Sequence, residues 1–181
     1  MKKQVLFIQG AGEGAYEEDR ELVKSLRELL GSEYNVRYPK MPEEDDQGYE
    51  TWKARISKEL AALDDGVILV GHSVGSSMLL KYLSEENVEN AIAGIFLIAA
   101  PYWGAAGWQV DEFTLDEGHA SKLLKGLPIF FYHSRDDDVV PFAHLVMHAE
   151  TFPGATIREF DGGGHQFNND LSEVAADIKS L

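Results

Sequence analysis

The segment from Val67 to Gly75, V-I-L-V-G-H-S-V-G, constrains the fold of this chain more than any other. An apolar, β-branched run stops at a G-x-S-x-G turn, and a helical pattern opens directly behind it. That order places Ser73 at the apex of a tight turn, with flanking glycines where a side chain would strike the neighbouring strand or helix. Small residues also end strands for packing reasons alone, so the pattern gains meaning only from its context.

A serine hydroxyl is a weak nucleophile at its free pKa. A reactive Ser73 needs a histidine to take its proton and a carboxylate to orient that histidine. Both residue types follow at the ends of predicted strands. Phe130-Phe131-Tyr132-His133 reads as a short apolar strand that runs into Ser134-Arg135-Asp136-Asp137-Asp138. Thr156 to Phe160 reads as another, followed by Asp161-Gly162-Gly163-Gly164-His165. A serine, an aspartate and His165, each past the end of its own strand, would converge on the C-terminal edge of a parallel sheet, where open α/β sheets bind ligands. The chain order Ser, Asp, His is that of α/β-hydrolases.

The rest of the chain alternates strands with amphipathic helices, without repeats or linker-like tracts. Strands are expected over residues 4–9, 35–39, 67–70, 91–99, 128–132 and 156–160. Helices are expected over 16–30, 51–63, the stretch after Ser73, 142–149 and 171–181. About six mostly parallel strands with helices on both sides make a single-domain three-layer α/β/α sandwich over residues 1–181. The 44% hydrophobic content of 181 residues suits one core of that size.

Composition narrows the function. There are no cysteines, which removes disulfides, thiolate metal sites and a cysteine nucleophile. No apolar run approaches the ~18 residues of a membrane span, and Val5-Leu6-Phe7-Ile8 is shorter than the ~7–15 residues of a signal-peptide core. A cytoplasmic protein without a membrane partner is expected. The net charge of −15, with clusters at Glu17-Glu18-Asp19 and Glu43-Glu44-Asp45-Asp46, disfavours nucleic acid. Those clusters read as solvated helix ends and loops.

Rival sites are weaker. Three adjacent aspartates cannot all face one cation, and no loop has calcium-binding spacing. His144 and His148 share a helical face but lack the glutamate of H-E-x-x-H, so a packed or surface pair is expected and no metal or cofactor is assigned. Gly10-Ala11-Gly12-Glu13-Gly14 fits neither a dinucleotide nor a P-loop pattern. His72 is expected to point away from Ser73, and His133 belongs to a strand end. His119 lies in a loop segment.

On these motifs the chain resembles the α/β-hydrolases, and by its size the compact, lid-poor serine hydrolases of the retinoblastoma-binding-protein type. The resemblance spans nearly the whole chain, with the two N-terminal antiparallel strands of the full fold missing. It implies that Asp137 is the acidic member, from the D-x-(aliphatic)-V-P pattern at Asp137-Asp138-Val139-Val140-Pro141, and that His165 is the base. It also implies an oxyanion hole of the Ala11 and Val74 backbone amides, with Gln9 standing where the family has histidine. The expected activity is hydrolysis of a small ester or thioester, with no cofactor. Gly10, Tyr102, Trp103 and Trp108, with Phe113, are the candidate pocket residues, although the aromatics would equally pack their loop onto the sheet. The competing reading is a binding protein that keeps this fold with little catalysis. Oligomeric state is not legible.

Overall fold

The computed structural model describes residues 2–42, 48–115, 118 and 126–181. The acidic run Glu43-Glu44-Asp45-Asp46 and His119 lie outside the described residues. Six strands form one sheet: β1 (Lys3–Ile8), β2 (Tyr34–Arg37), β3 (Val67–His72), β4 (Ile92–Ile98), β5 (Ile129–Ser134) and β6 (Thr156–Phe160). Their order is β2-β1-β3-β4-β5-β6, and every pairing is parallel. The helices are α1 (Ala15–Leu30), α2 (Tyr49–Leu60), α3 (Val74–Glu85), α4 (Ala143–Thr151) and α5 (Ser172–Lys179).

Burial follows position in the sheet. β3 is buried along its whole length, as a central parallel strand covered on both faces must be. At the edges, β2 alternates buried and open residues and β6 is half-exposed. Alternate side chains feed two apolar layers. Val5, Phe7, Ile68, Val70, Phe96 and Ile98 pack with Leu22 and Leu26 of α1 and Val174 and Ile178 of α5. Leu6, Ile8, Leu69, Ile95 and Leu97 pack with Trp52 of α2, Leu79 of α3 and Leu145 of α4. This is the expected three-layer sandwich in one compact domain. Element ends moved by a few residues: α2 starts behind Gly48 at Tyr49 and ends at Leu60, with Leu63 closing a turn onto the Leu60 carbonyl at 2.9 Å. Among the described residues no helix is long and apolar enough to cross a membrane.

The turn between β3 and α3 is where packing is tightest. Ser73 has φ 51° and ψ −125°, a backbone conformation that costs of order 1–3 kcal/mol and persists only where its surroundings impose it. A Cβ on Gly71 would lie 2.7 Å from the Ser76 backbone, and one on Gly75 would lie 2.2 Å from the Gln9 carbonyl oxygen and 2.5 Å from that of Ile8. The two glycines thus let α3 begin in contact with the end of β1. Gly75→Ala is expected to lower unfolding stability by about 3 kcal/mol or more, or to prevent soluble expression. Gly48→Ala, at an ordinary φ of −58° where a Cβ would meet only the Glu112 carboxylate at 3.9 Å, should change stability by less than ~1 kcal/mol. Urea unfolding of both variants checks this, and equal losses would refute the close-packing account.

Candidate active site

Ser73 caps α3 at the C-terminal edge of the sheet. Its N–H donates to the Ile98 carbonyl at 2.8 Å, and the residue keeps 8% exposure. Gly10 lies directly beside it, since a Cβ there would sit 3.3 Å from the Ser73 Cβ. The turn after β1 therefore packs on the elbow. Gln9 pins that turn: its amide donates to the Gly10 carbonyl at 3.2 Å, and its side-chain oxygen accepts from Met41 N–H at 3.1 Å. Among the described residues, the Ala11 and Val74 N–H groups have no hydrogen-bond partner. Two unpaired amides flanking the serine can donate to an oxyanion.

Asp137 and His165 come together from the loops after β5 and β6. The His165 Nδ1 lies 2.9 and 3.1 Å from the two carboxylate oxygens of Asp137. A carboxylate accepts, so Nδ1 carries the proton and Nε2 is left to act as a base. Asp137 is sealed from solvent, while the His165 side chain keeps 12% exposure. Burial alone would raise the Asp137 pKa, but His133, His165 and the Val140 amide hold it well below the usual carboxylate range. The Val139 and Val140 N–H groups donate to it at 2.9 and 2.8 Å, and His133 Nε2 lies 3.3 Å away. Ser73 Oγ makes no hydrogen bond to His165 among the described residues; such bonds are often loose before substrate binds.

The neighbouring aspartates do other things. Asp136 accepts from the Ser134 hydroxyl at 2.5 Å and from the Gly164 and Gly163 amides at 2.8 and 3.3 Å, so it holds the glycine turn that presents His165. Asp138 is exposed.

Two residues around the serine, Asp19 and His72, were not read from the sequence as part of the site. Asp19 belongs to the acidic cluster expected to be solvated, yet it is 1% exposed. It occupies the same face of α1 as Leu22, Val23 and Leu26, and that helical spacing was the available signal. His72 turns from the nucleophile toward the base loop, donating from Nε2 to the His165 carbonyl at 3.0 Å. Its Nδ1 lies 2.8 Å from Asp19 Oδ1. Burial would lower the His72 pKa, but the Asp19 charge and the His165 carbonyl outweigh it and raise it. Burial likewise opposes the Asp19 charge and is outweighed by His72, the Gly10 amide and Gln166, so that carboxyl stays low.

Of the aromatic candidates, Tyr102 and Trp103 line a cavity of about 280 Å³ with Ser77, Leu80, Phe113 and His148. Ser77 is one turn of α3 beyond Ser73. Trp108 packs behind, against Trp103 and His144 with ring centroids 5.4 and 5.1 Å away. His144 and His148 are both buried and tied to backbone: His144 Nδ1 accepts from Tyr102 N–H at 2.8 Å, and His148 Nε2 donates to the Ala100 carbonyl at 3.2 Å. Among the described residues no group of three His, Asp or Glu side chains is placed to hold a metal ion.

Burial pushes the His148 pKa down to about 3, which has a measurable consequence. Between that value and the unfolded-state pKa of about 6.5, the unfolded chain binds a proton that the native state refuses. This contribution to stability is complete above pH ~6.5 and is lost as the pH falls toward 3, by up to ~1.4 kcal/mol per pH unit. His148→Gln keeps a donor for Ala100 and does not titrate, so its stability should fall less steeply across that window. Urea unfolding at several pH values checks it, and parallel curves for the two proteins would refute it.

The profile of the serine hydrolase family matches residues 24–171, a span that contains Ser73, Asp137 and His165. The YdeN protein of Bacillus subtilis (strain 168) is 26% identical over 167 residues, covering 91% of this chain and 86% of that one. The crystal structure of the B. subtilis ydeN gene product is similar to this fold with a TM-score of 0.82 at 25% identity, over 99% of this chain and 98% of that one. The esterase EaEST of Exiguobacterium antarcticum shares the fold with a TM-score of 0.67 at 15% identity, over 98% of this chain and 91% of that one. The family match extends over more than half of the chain: this chain belongs to the serine hydrolase family and has the α/β-hydrolase fold.

Proposed function

We propose that the protein hydrolyses small carboxylic esters or thioesters through an acyl-enzyme on Ser73. The observation that carries this reading is the buried Asp137 carboxylate 2.9 Å from His165 Nδ1, on the loop beside the elbow. His165 Nε2 takes the Ser73 proton as Oγ attacks the carbonyl carbon. The tetrahedral oxyanion is held by the Ala11 and Val74 amides, and the positive end of α3 adds to that stabilisation. Collapse breaks the acyl–oxygen or acyl–sulfur bond, and His165 returns the proton to the leaving group. Water, deprotonated by the same nitrogen, then releases the acid and restores Ser73. Asp137 keeps the imidazole oriented and offsets its positive charge without accepting the proton.

The cavity beside Tyr102 and Trp103, one helical turn from the serine, suits a short acyl group. The finer likeness to the retinoblastoma-binding-protein type and a cytoplasmic setting belong to this same reading, supported by the compact chain and the absence of cysteine.

Hydrolysis of p-nitrophenyl acetate and butyrate near pH 8, with fluorophosphonate labelling in parallel, tests the assignment. Ser73→Ala is expected to lower turnover by on the order of 10⁴ or more and to abolish labelling. Labelling without turnover would keep the reactive serine and move the substrate elsewhere, whereas neither would favour a binding role for the fold. Acetate and butyrate esters should give higher kcat/KM than long-chain esters; the reverse order would overturn the small-acyl assignment.

A further inference from the structure

Asp19 is a carboxylate on an apolar helix face. Burying an ionised group costs several kcal/mol unless it is paired, and an ion pair there is often no more stabilising than apolar side chains of the same volume. What the arrangement supplies is direction. Asp19 Oδ2 accepts from Gly10 N–H at 2.8 Å. Its Oδ1 faces His72 Nδ1 at 2.8 Å and accepts from the Gln166 side chain at 3.2 Å. His72 in turn donates to the backbone carbonyl of His165 at 3.0 Å, and its ring lies 4.8 Å from the His165 ring, centroid to centroid.

We propose that Asp19 and His72 form a buried positioning pair that sets the oxyanion turn and the catalytic histidine together. Resting on the serine hydrolase reading above, the inference assigns neither residue to the reacting atoms. Through Gly10, Asp19 fixes the first peptide of the turn and leaves the next amide, Ala11, free to face the substrate oxygen. Through the His165 carbonyl, His72 fixes the backbone of a residue whose ring is fixed separately by Asp137. One residue held at both backbone and ring has little freedom left to rotate away from Ser73. Because both anchors meet at one carboxylate, a shift of the base loop is felt at the oxyanion turn.

The test replaces the pair by leucines. Asp19→Leu/His72→Leu removes the contacts without stranding a buried charge. Turnover of p-nitrophenyl acetate is expressed per serine titrated with fluorophosphonate, so that a misfolded fraction does not count. The expected result is a kcat about tenfold to a hundredfold lower per titrated serine, since displacement of about 1 Å is enough for such a loss, with KM within about threefold. His72→Gln, which keeps a donor within reach of the His165 carbonyl, should recover most of the loss seen when that donor is absent. If the leucine pair is insoluble, Asp19→Asn/His72→Phe keeps an acceptor for Gly10 and the ring volume but drops the donor to His165, and the same fall in kcat is expected. A kcat per titrated serine within twofold of wild type in the folded variant would overturn the positioning pair alone. A wild-type protein that fluorophosphonate does not label would overturn the serine hydrolase reading and this inference with it.

Discussion

Contact between the first turn of α3 and the carbonyls that end β1 governs the geometry of everything around the serine. Gly75 admits the Gln9 and Ile8 carbonyl oxygens at distances no side chain could survive, and Gly71 does the same for the Ser76 backbone. With the helix held there, the chain between β3 and α3 has no relaxed route, and Ser73 takes the positive φ that lifts it from the sheet edge. The same approach brings the turn after β1 against Ser73. Among the described residues two backbone amides without partners are left there, Ala11 in that turn and Val74 directly after the serine. The buried β3 and the buried end of β1 bear the strain, which is why the nucleophile sits at the middle of the sheet.

Electrostatics then divides labour among carboxylates that look alike in the sequence. Asp136 caps the glycine turn, Asp137 orients the base, and Asp138 faces solvent. In a chain with a net charge of −15, two carboxylates near the serine are nonetheless withdrawn from water, and each meets histidine: Asp137 meets His165 and His133, and Asp19 meets His72. Withdrawal makes these contacts stronger than their surface counterparts and penalises any loss of partner. Among the described residues, the histidines outside the base position are accordingly engaged with backbone or carboxylate, including His144 and His148 beneath the aromatic segment.

Much of this is legible in the sequence. The apolar runs at residues 5–8, 67–70 and 91–99 read as buried strands, and the turn at Gly71–Gly75 named Ser73. His165 followed from its place beyond a strand, while the choice of Asp137 over Asp136 and Asp138 came from family resemblance; the structure brings Asp137 to His165 and sends the other two elsewhere. Asp19 was misread because it adjoins Glu17 and Glu18 in an evidently polar run. Its helical spacing to Leu22 and Leu26 carried the opposite message, but a carboxylate on that face makes sense only once its partners are seen. Tyr102, Trp103 and Trp108 likewise shared one aromatic segment, and only packing separated the two that line the cavity from the one behind them.

The sequence by itself determined the local grammar: which segments bury both faces, where a turn must be tight, and which side chains have the chemistry to attack, accept a proton or orient a ring. These are properties of neighbours in the chain, carried by hydrophobic period and by the sterics of glycine. Tertiary structure decided the pairings. Asp19 meets Gln166 across 147 positions and His72 meets the His165 carbonyl across 93, distances at which sequence carries no metric. Those encounters depend on strand order and on parallel strands ending at one edge, so the partner of a buried charge is set by the packing of the whole sheet.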